Sequence, residues 1–141
     1  MKVSDMERYF SQIYNPSNNY SAEFFQSGGE TVCGAGSMRE LNVGFLDFLQ
    51  GIVNDYSIES ILDLGCGDLN FIAPFLERNP QIRYKGVDIS RPLIKSNIEK
   101  FPQYQFEHHN ISETIPDDSF DLCIVKEVFI HISKEKVRDS L

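Results

Sequence analysis

The sequence predicts an α/β fold, a parallel sheet with flanking helices, and three observations carry that expectation. Strand-length apolar runs alternate with helix-like stretches from about residue 58 onward, beginning with Ser60-Ile61-Leu62-Asp63-Leu64. The first run flows directly into Gly65-Cys66-Gly67 and then into a helical stretch, the kind of turn that joins a parallel strand to its crossover helix. A later run, Leu122-Cys123-Ile124-Val125, is continuously apolar, as a central strand covered on both faces would be.

The elements follow in order. Residues 1–36 are polar, aromatic and glycine-bearing, with Tyr9, Phe10, Tyr14, Tyr20, Phe24 and Phe25 but little sustained period, and read as a short helix followed by a lid-like arm. Its Gly28-Gly29 and Gly34-Ala35-Gly36-Ser37 segments fit either a flexible linker or an arm that closes over a ligand. Ser37-Met38-Arg39-Glu40 has the form of a capping box, and Met38, Leu41, Phe45, Leu46, Phe48, Leu49, Ile52 and Val53 make one apolar helix face after it. Then come a strand over 60–64, a helix from about Leu69 to Arg78, and a strand over 83–88. Ser90 is placed to cap a helix with Pro92 in its first turn, running towards Lys100, before strands near 104–108 and 121–125. The expected organisation is an arm over 1–36 and a core over 37–141, with no internal repeat.

At 141 residues the chain has room for one domain with a core. Lys and Arg total 13 against 21 for Asp and Glu, and residues 1–70 carry only Lys2, Arg8 and Arg39 as cations, which argues against binding a phosphate backbone. No nucleic-acid partner and no membrane are expected. Cys33, Cys66 and Cys123 form no C-x-x-C pair and are odd in number, so neither a zinc site nor a disulfide framework is indicated. The opening Met1-Lys2-Val3-Ser4-Asp5-Met6 lacks the apolar run of a signal peptide, and the expected location is cytoplasmic.

The glycine loop narrows the chemistry. Gly65 and Gly67 let the backbone approach a ligand with no Cβ in the way, while the following helix start offers unpaired N–H groups. A dinucleotide fingerprint would place a third glycine at Asn70, so close passage of a pyrophosphate is disfavoured, and an NAD-dependent oxidoreductase with it. Asp63, two residues before the first glycine, suits a cationic ligand whose ammonium or sulfonium end lies over the strand terminus. S-adenosylmethionine fits that description.

Asp63-x-Gly65-x-Gly67 after Ile61-Leu62 resembles the first motif of the class I S-adenosylmethionine-dependent methyltransferases. The resemblance continues through Tyr84-Lys85-Gly86-Val87-Asp88-Ile89-Ser90, through Phe106-Glu107-His108-His109-Asn110-Ile111, and through Ile115 to Val125, covering roughly residues 58–138. It implies a Rossmann-like sheet of seven strands in the order 3-2-1-4-5-7-6, of which about four are present here, so that the fold is expected to be incomplete, the donor-binding portion of a longer enzyme or a chain completed by another. An open edge beside Leu122 to Val125 would favour self-association. A non-catalytic donor-binding or interaction module is the alternative to an enzyme.

The resemblance also assigns residues. Asp63, Gly65, Cys66 and Gly67 would hold the donor at the first strand end, and Asp88 with Ile89 would grip the ribose, though Asp88 could instead cap the next turn through its side chain. Asn110 stands where the family commonly carries an acid that accepts from the adenine amino group; its amide oxygen would serve, with the Ile111 N–H beside it. The family's frequent third glycine is replaced by Leu69, read as packing the helix on the sheet. Lys126-Glu127-Val128-Phe129-Ile130-His131-Ile132 follows the fourth strand, where parallel folds present reactive groups. Glu127 and His131 are the catalytic candidates, each with a structural role as its alternative, and Lys126 reaches the cofactor or forms a surface ion pair. His108 and His109, adjacent on a strand, point to opposite faces and do not suit one metal. The expected reaction is methyl transfer to oxygen or nitrogen of a small molecule, with a sugar derivative as one candidate.

Overall fold

The frame is set by parallel pairing. A computed structural model describes residues 3–17, 22–116, 119–128, 131–132, 134–135 and 138. Four strands, β1 (Ser60–Leu64), β2 (Arg83–Asp88), β3 (Gln105–His108) and β4 (Leu122–Ile124), form one sheet in the order β3-β2-β1-β4. Every pairing is parallel: Asp63 lies beside Gly86 on one side and Ile124 on the other, and Asp88 lies beside His108. That is the first half of the strand order implied by the resemblance. β1 is central and all five of its residues are buried, which is why its sequence shows an apolar run rather than strict alternation.

Strand periodicity still sorts the side chains into two cores. Ile61 and Tyr84 share one cluster with Phe75 and Leu76 of α4 (Ala73–Arg78), Ile94 of α5 (Arg91–Lys100), and Leu49 and Val53 of α3 (Val43–Tyr56). The other face gathers Leu62, Leu64, Val87 and Ile111 against Phe120, Val125, Val128 and Ile132. The N-terminal segment supplies α1 (Val3–Ile13), which packs on α5 with Glu7 paired to Arg91 at 2.6 Å, and α2 (Ala22–Gln26). β4 is held at its start by Asp121, whose Oδ2 accepts from the N–H groups of Glu59 and Ser60 at 2.9 and 3.0 Å. Those bonds keep its carboxyl below the usual aspartate range. Among the described residues no helix is long and apolar enough to cross a membrane.

Several local expectations hold. Ser90 caps α5, its Oγ accepting from Leu93 N–H at 3.5 Å, and β1 and β2 occupy the expected positions. The capping box at Ser37 does not form. Ser37 ends a short 3-10 turn, a second one covers Glu40–Asn42, and α3 begins only at Val43. Ser37 N–H, which a capping box would give to the Glu40 side chain, donates to Gly34 O at 3.1 Å, and tertiary partners hold the neighbouring backbone: Arg39 N–H donates to Glu30 Oε1 at 2.8 Å, and the Ser37 carbonyl accepts from Asn70 Nδ2 at 2.9 Å. The expected apolar face is narrower than its periodicity predicts: Leu41 lies before α3 and is 66% exposed and Phe48 is 67% exposed, while Leu49 and Val53 are buried with Phe45, Leu46 and Ile52 packed beside them. Likewise α4 starts at Ala73, not at Leu69, because Leu69 has φ +59°, outside the helical region. Tyr20, Asp117, Asp118, Phe129 and Ile130 lie outside the described residues.

The contrast between Phe75 and Phe48 is testable. Phe75 is fully buried, so Phe75→Ala is expected to lower the free energy of unfolding by about 3–5 kcal/mol, whereas exposed Phe48→Ala should stay within about 0.5 kcal/mol. Urea unfolding of the two variants beside the parent measures both; equal losses would contradict the core assignment.

Candidate functional site

The site grows from the end of β1. Gly65 and Gly67 have φ of +84° and +57°, and the N–H groups of Gly65 and Cys66 both donate to Val87 O, at 2.8 and 3.0 Å. This folds the loop back over the tip of β2. A Cβ on Gly65 would run into the Val128 side chain, and one on Gly67 would lie 2.9 Å from Cys33 Sγ, so a side chain at Gly65 is excluded by space as well as conformation and one at Gly67 by its positive φ, with Cys33 having to shift. Leu69 keeps the left-handed turn without being glycine and buries its side chain to 1% exposure, packing in the main core as the sequence reading expects.

Two carboxylates stand at adjoining strand ends. Asp88 Oδ2 accepts from Gly67 N–H at 3.0 Å and its Oδ1 accepts from Ser90 N–H at 2.8 Å, so this side chain braces both the glycine loop and the turn into α5. Burial raises its pKa and the backbone donors oppose that rise. The turn-capping role is thus present in the structure, with the Ile89 backbone as a third donor, and the carboxylate keeps acceptor capacity for a ligand. Asp63 is 4% exposed and accepts from Tyr84 OH at 2.8 Å. Burial pushes its pKa up to about 7; the Tyr84 hydrogen bond opposes the rise and the nearby Asp88 carboxylate adds to it.

All the residues nominated from the sequence, Asp63, Gly65, Cys66, Gly67, Asp88, Ile89, Asn110, Ile111, Lys126, Glu127 and His131, line a single cavity at this end of the sheet. Their detail differs from the simplest expectation in places. Asn110 Oδ1 already accepts from the N–H and the hydroxyl of Ser112, at 3.0 and 2.7 Å. Because the Ser112 N–H can only donate, it fixes which amide atom is the oxygen. Asn110 Nδ2 is shut off from solvent with no hydrogen-bond partner among the described residues, so the uncommitted group is a donor. Lys126 Nζ donates to Gly36 O at 2.9 Å and lies 3.5 Å from Glu127 Oε2 and 5.2 Å from the centre of the Phe71 ring. Glu127 has φ +57° and its carboxylate lies across Gly36, where a Cβ would clash. His131 meets the Phe10 ring edge-on at 5.4 Å. His108 and His109 diverge: the first contacts Ile89 O at 3.1 Å, the second Thr114 O at 2.7 Å.

The cavity also has walls that sequence reasoning missed. Met6, Phe10 and Tyr14 reach it from the N-terminal segment, as do Cys33 and Ser37. Tyr14 O accepts from Ser90 Oγ at 2.9 Å, and burial pushes the Tyr14 hydroxyl up to about 12. The aromatic run from Tyr9 to Tyr14 was the available signal. It marks an apolar surface but not what that surface faces, and nothing in the local pattern singles out Cys33.

A family model described as a methyltransferase domain matches residues 62–141, more than half of the chain. Trans-aconitate 2-methyltransferase of Rhodopseudomonas palustris strain BisB5 is 32% identical over 69 residues, which are 49% of this chain and 27% of that protein; the chain thus matches little more than a quarter of the relative's length. The methyltransferase domain of bacterial CtHen1-CN superposes with a TM-score of 0.58 at 19% identity, covering 71% of this chain and 59% of that one. S-adenosylmethionine-bound CalS10, an amino pentose methyltransferase from Micromonospora echinaspora, superposes with a TM-score of 0.56 at 16% identity, covering 72% and 42%. At such identities the two structures share the fold with this chain. The family match supplies what the superpositions alone do not, and by it this chain belongs to the S-adenosylmethionine-dependent methyltransferases of the Rossmann-like class.

Proposed function

We propose that the cavity binds S-adenosylmethionine and that the protein transfers its methyl group to oxygen or nitrogen of a small molecule, with a sugar derivative as one candidate acceptor. The observation that carries this reading is the pair of buried carboxylates, Asp63 and Asp88, on either side of a loop whose glycines cannot take side chains without strain. A cation beside Asp63 would favour its ionised form, and two hydroxyls beside Asp88 would find the acceptor capacity that its backbone donors leave free. Asn110 Nδ2 would donate to a ring nitrogen of the base if a ligand parts what now covers it, with Ile111 and Ile89 beside the ring. The named functions of the relatives, trans-aconitate and amino pentose methylation, support a small acceptor.

When bound, the donor supplies an electrophilic methyl on a sulfonium whose departure leaves a neutral thioether. The protein's task is to hold that methyl in line with the nucleophile and to keep water out, which is where most of the rate arises. Met6, Phe10 and Phe71 offer the apolar walls for this. A hydroxyl nucleophile must lose a proton whereas an ionised carboxylate need not, and for a hydroxyl acceptor Glu127 and His131, both on the segment after β4 and lining the cavity, would be the bases. Glu127 would have to leave Gly36 and Lys126 to do so.

Two outcomes are expected. Asp88→Ala should weaken S-adenosylhomocysteine binding roughly ten- to a hundredfold, from loss of about 1.5–3 kcal/mol of charge-assisted hydrogen bonding, with Asp88→Asn intermediate. Calorimetric titration checks this, and unchanged affinity would remove Asp88 from the site. For Asp63 the sign follows from its raised pKa. Below about pH 7 the folded chain holds it protonated, and a sulfonium favours the ionised form, so S-adenosylmethionine affinity should fall relative to neutral-sulfur S-adenosylhomocysteine as pH drops from 8 to 6. Asp63→Asn should flatten the ratio; a ratio that ignores pH in the parent would contradict the sulfonium contact.

A further inference from the structure

Asp68 has no part in the chemistry above, yet its carboxylate joins two segments of the chain. Oδ1 accepts from Asn70 N–H at 3.2 Å, which shapes the turn after Gly67. Oδ2 accepts from the Thr31 hydroxyl and, at 3.2 Å, from Val32 N–H, 36 residues earlier in the sequence. Thr31 Oγ1 in turn accepts from Cys33 N–H at 3.0 Å. Thr31 and Val32 are 2% and 6% exposed, so these donors have no water to fall back on. Asn70 reinforces the junction: its Nδ2 donates to Glu30 Oε1 at 2.7 Å and to Ser37 O at 2.9 Å. The result bears on the cavity directly, because Cys33 and Ser37, which flank these ties, are among its lining residues and Cys33 Sγ lies against Gly67.

We infer that Asp68 is a positioning residue for donor binding: through Thr31 and Val32 it fastens the segment around Cys33 to the glycine loop, making that segment a wall of the cavity. The inference rests on the donor reading of the cavity given above. Charge is what the junction needs. Two N–H groups and a hydroxyl all point donors at this one side chain, a set that an ionised carboxylate accepts in full and an amide does not. In Asp68→Asn one oxygen becomes an NH2, so whichever way the amide turns it meets either the Asn70 N–H or the Thr31 and Val32 pair donor to donor, and it brings no charge to hold the rest. Thr31→Val cuts the same junction from the other side and leaves the loop's own hydrogen bond intact.

The test uses the full chain and S-adenosylhomocysteine as the probe, with calorimetric affinity and the thermal midpoint read for each variant. Asp68→Asn and Thr31→Val are each expected to weaken binding about tenfold, the double variant no more than Asp68→Asn alone, since both remove one junction. A lowered midpoint with parental affinity would make Asp68 merely structural and overturn the inference, and so would additive losses. A parent that binds no S-adenosylhomocysteine sinks the donor reading and the inference with it. Hydrogen exchange on the ligand-free proteins tells the two failures apart: Asp68→Asn should speed exchange at residues 31–33 while Leu62 and Val87 amides keep their protection, and unaltered exchange at 31–33 would refute the junction whatever the ligand does.

Discussion

Two carboxylates held out of water at neighbouring strand ends are the constraint around which this end of the molecule is arranged. Burying ionisable oxygens is costly unless donors meet them, and each acid here recruits a different kind of donor. Asp88 takes backbone N–H groups from the loop and from the turn before α5, so satisfying it also fixes where both segments run. Asp63 takes a phenol from within the sheet, two residue pairs along the register, which consumes the polar end of Tyr84 and leaves its ring for the core. Among the described residues neither acid is paired with a cation at salt-bridge distance. Lys126, which lines the same cavity, is turned towards the Gly36 carbonyl and Glu127. The unmet electrostatic demand of the site is therefore for positive charge.

What could be read from the sequence, and what could not, divides along local and tertiary physics. β1, the loop glycines, β2 and the Ser90 cap were legible because each is dictated within a few residues: an apolar run, two positions without Cβ, an acid at a strand end, a hydroxyl before a proline. The start of α3 was misread because Ser37 and Glu40 carry the spacing of a capping box, yet Glu30 and Asn70, distant in sequence, claim the neighbouring backbone groups first. The start of α4 was misread for a subtler reason. Leu69 has the side chain of a good helix former and the backbone of a glycine, a left-handed turn that costs roughly 1–2 kcal/mol and is offset by burying the leucine, worth about 1.5–3 kcal/mol. Local propensity sees only the first half of that balance.

The same division holds for the site. Every nominated residue converges on the cavity because the strand-end rule for parallel sheets is topological and needs no side-chain detail. The cavity's other walls come from residues 6–37, where the sequence suggests an arm over a ligand but no period or motif says which of its side chains face inward. Asn110 lies between the two cases: its position at the end of β3 was readable, but the capture of its oxygen by Ser112 was not, and that capture reverses the polarity of the group left over. Adenine recognition, on this geometry, would begin from a donor where the resemblance led one to expect an acceptor.

The bond from Lys126 to the Gly36 carbonyl spans 90 residues and has a kinetic consequence. Strands β1 and β2 meet across one crossover, so their pairing closes a short loop, while the cavity is complete only when the segment after β4 reaches back to the N-terminal third of the chain. Closure of the longer loop costs more chain entropy and forms few contacts until the sheet is already in place, which puts the cavity late in the order of assembly. On the folded side the rim can detach from Gly36 without breaking a strand pair, because the β4 pairing ends at Ile124. Entry and exit of a ligand can then proceed by local fraying of the rim, on a timescale independent of the global unfolding of the sheet.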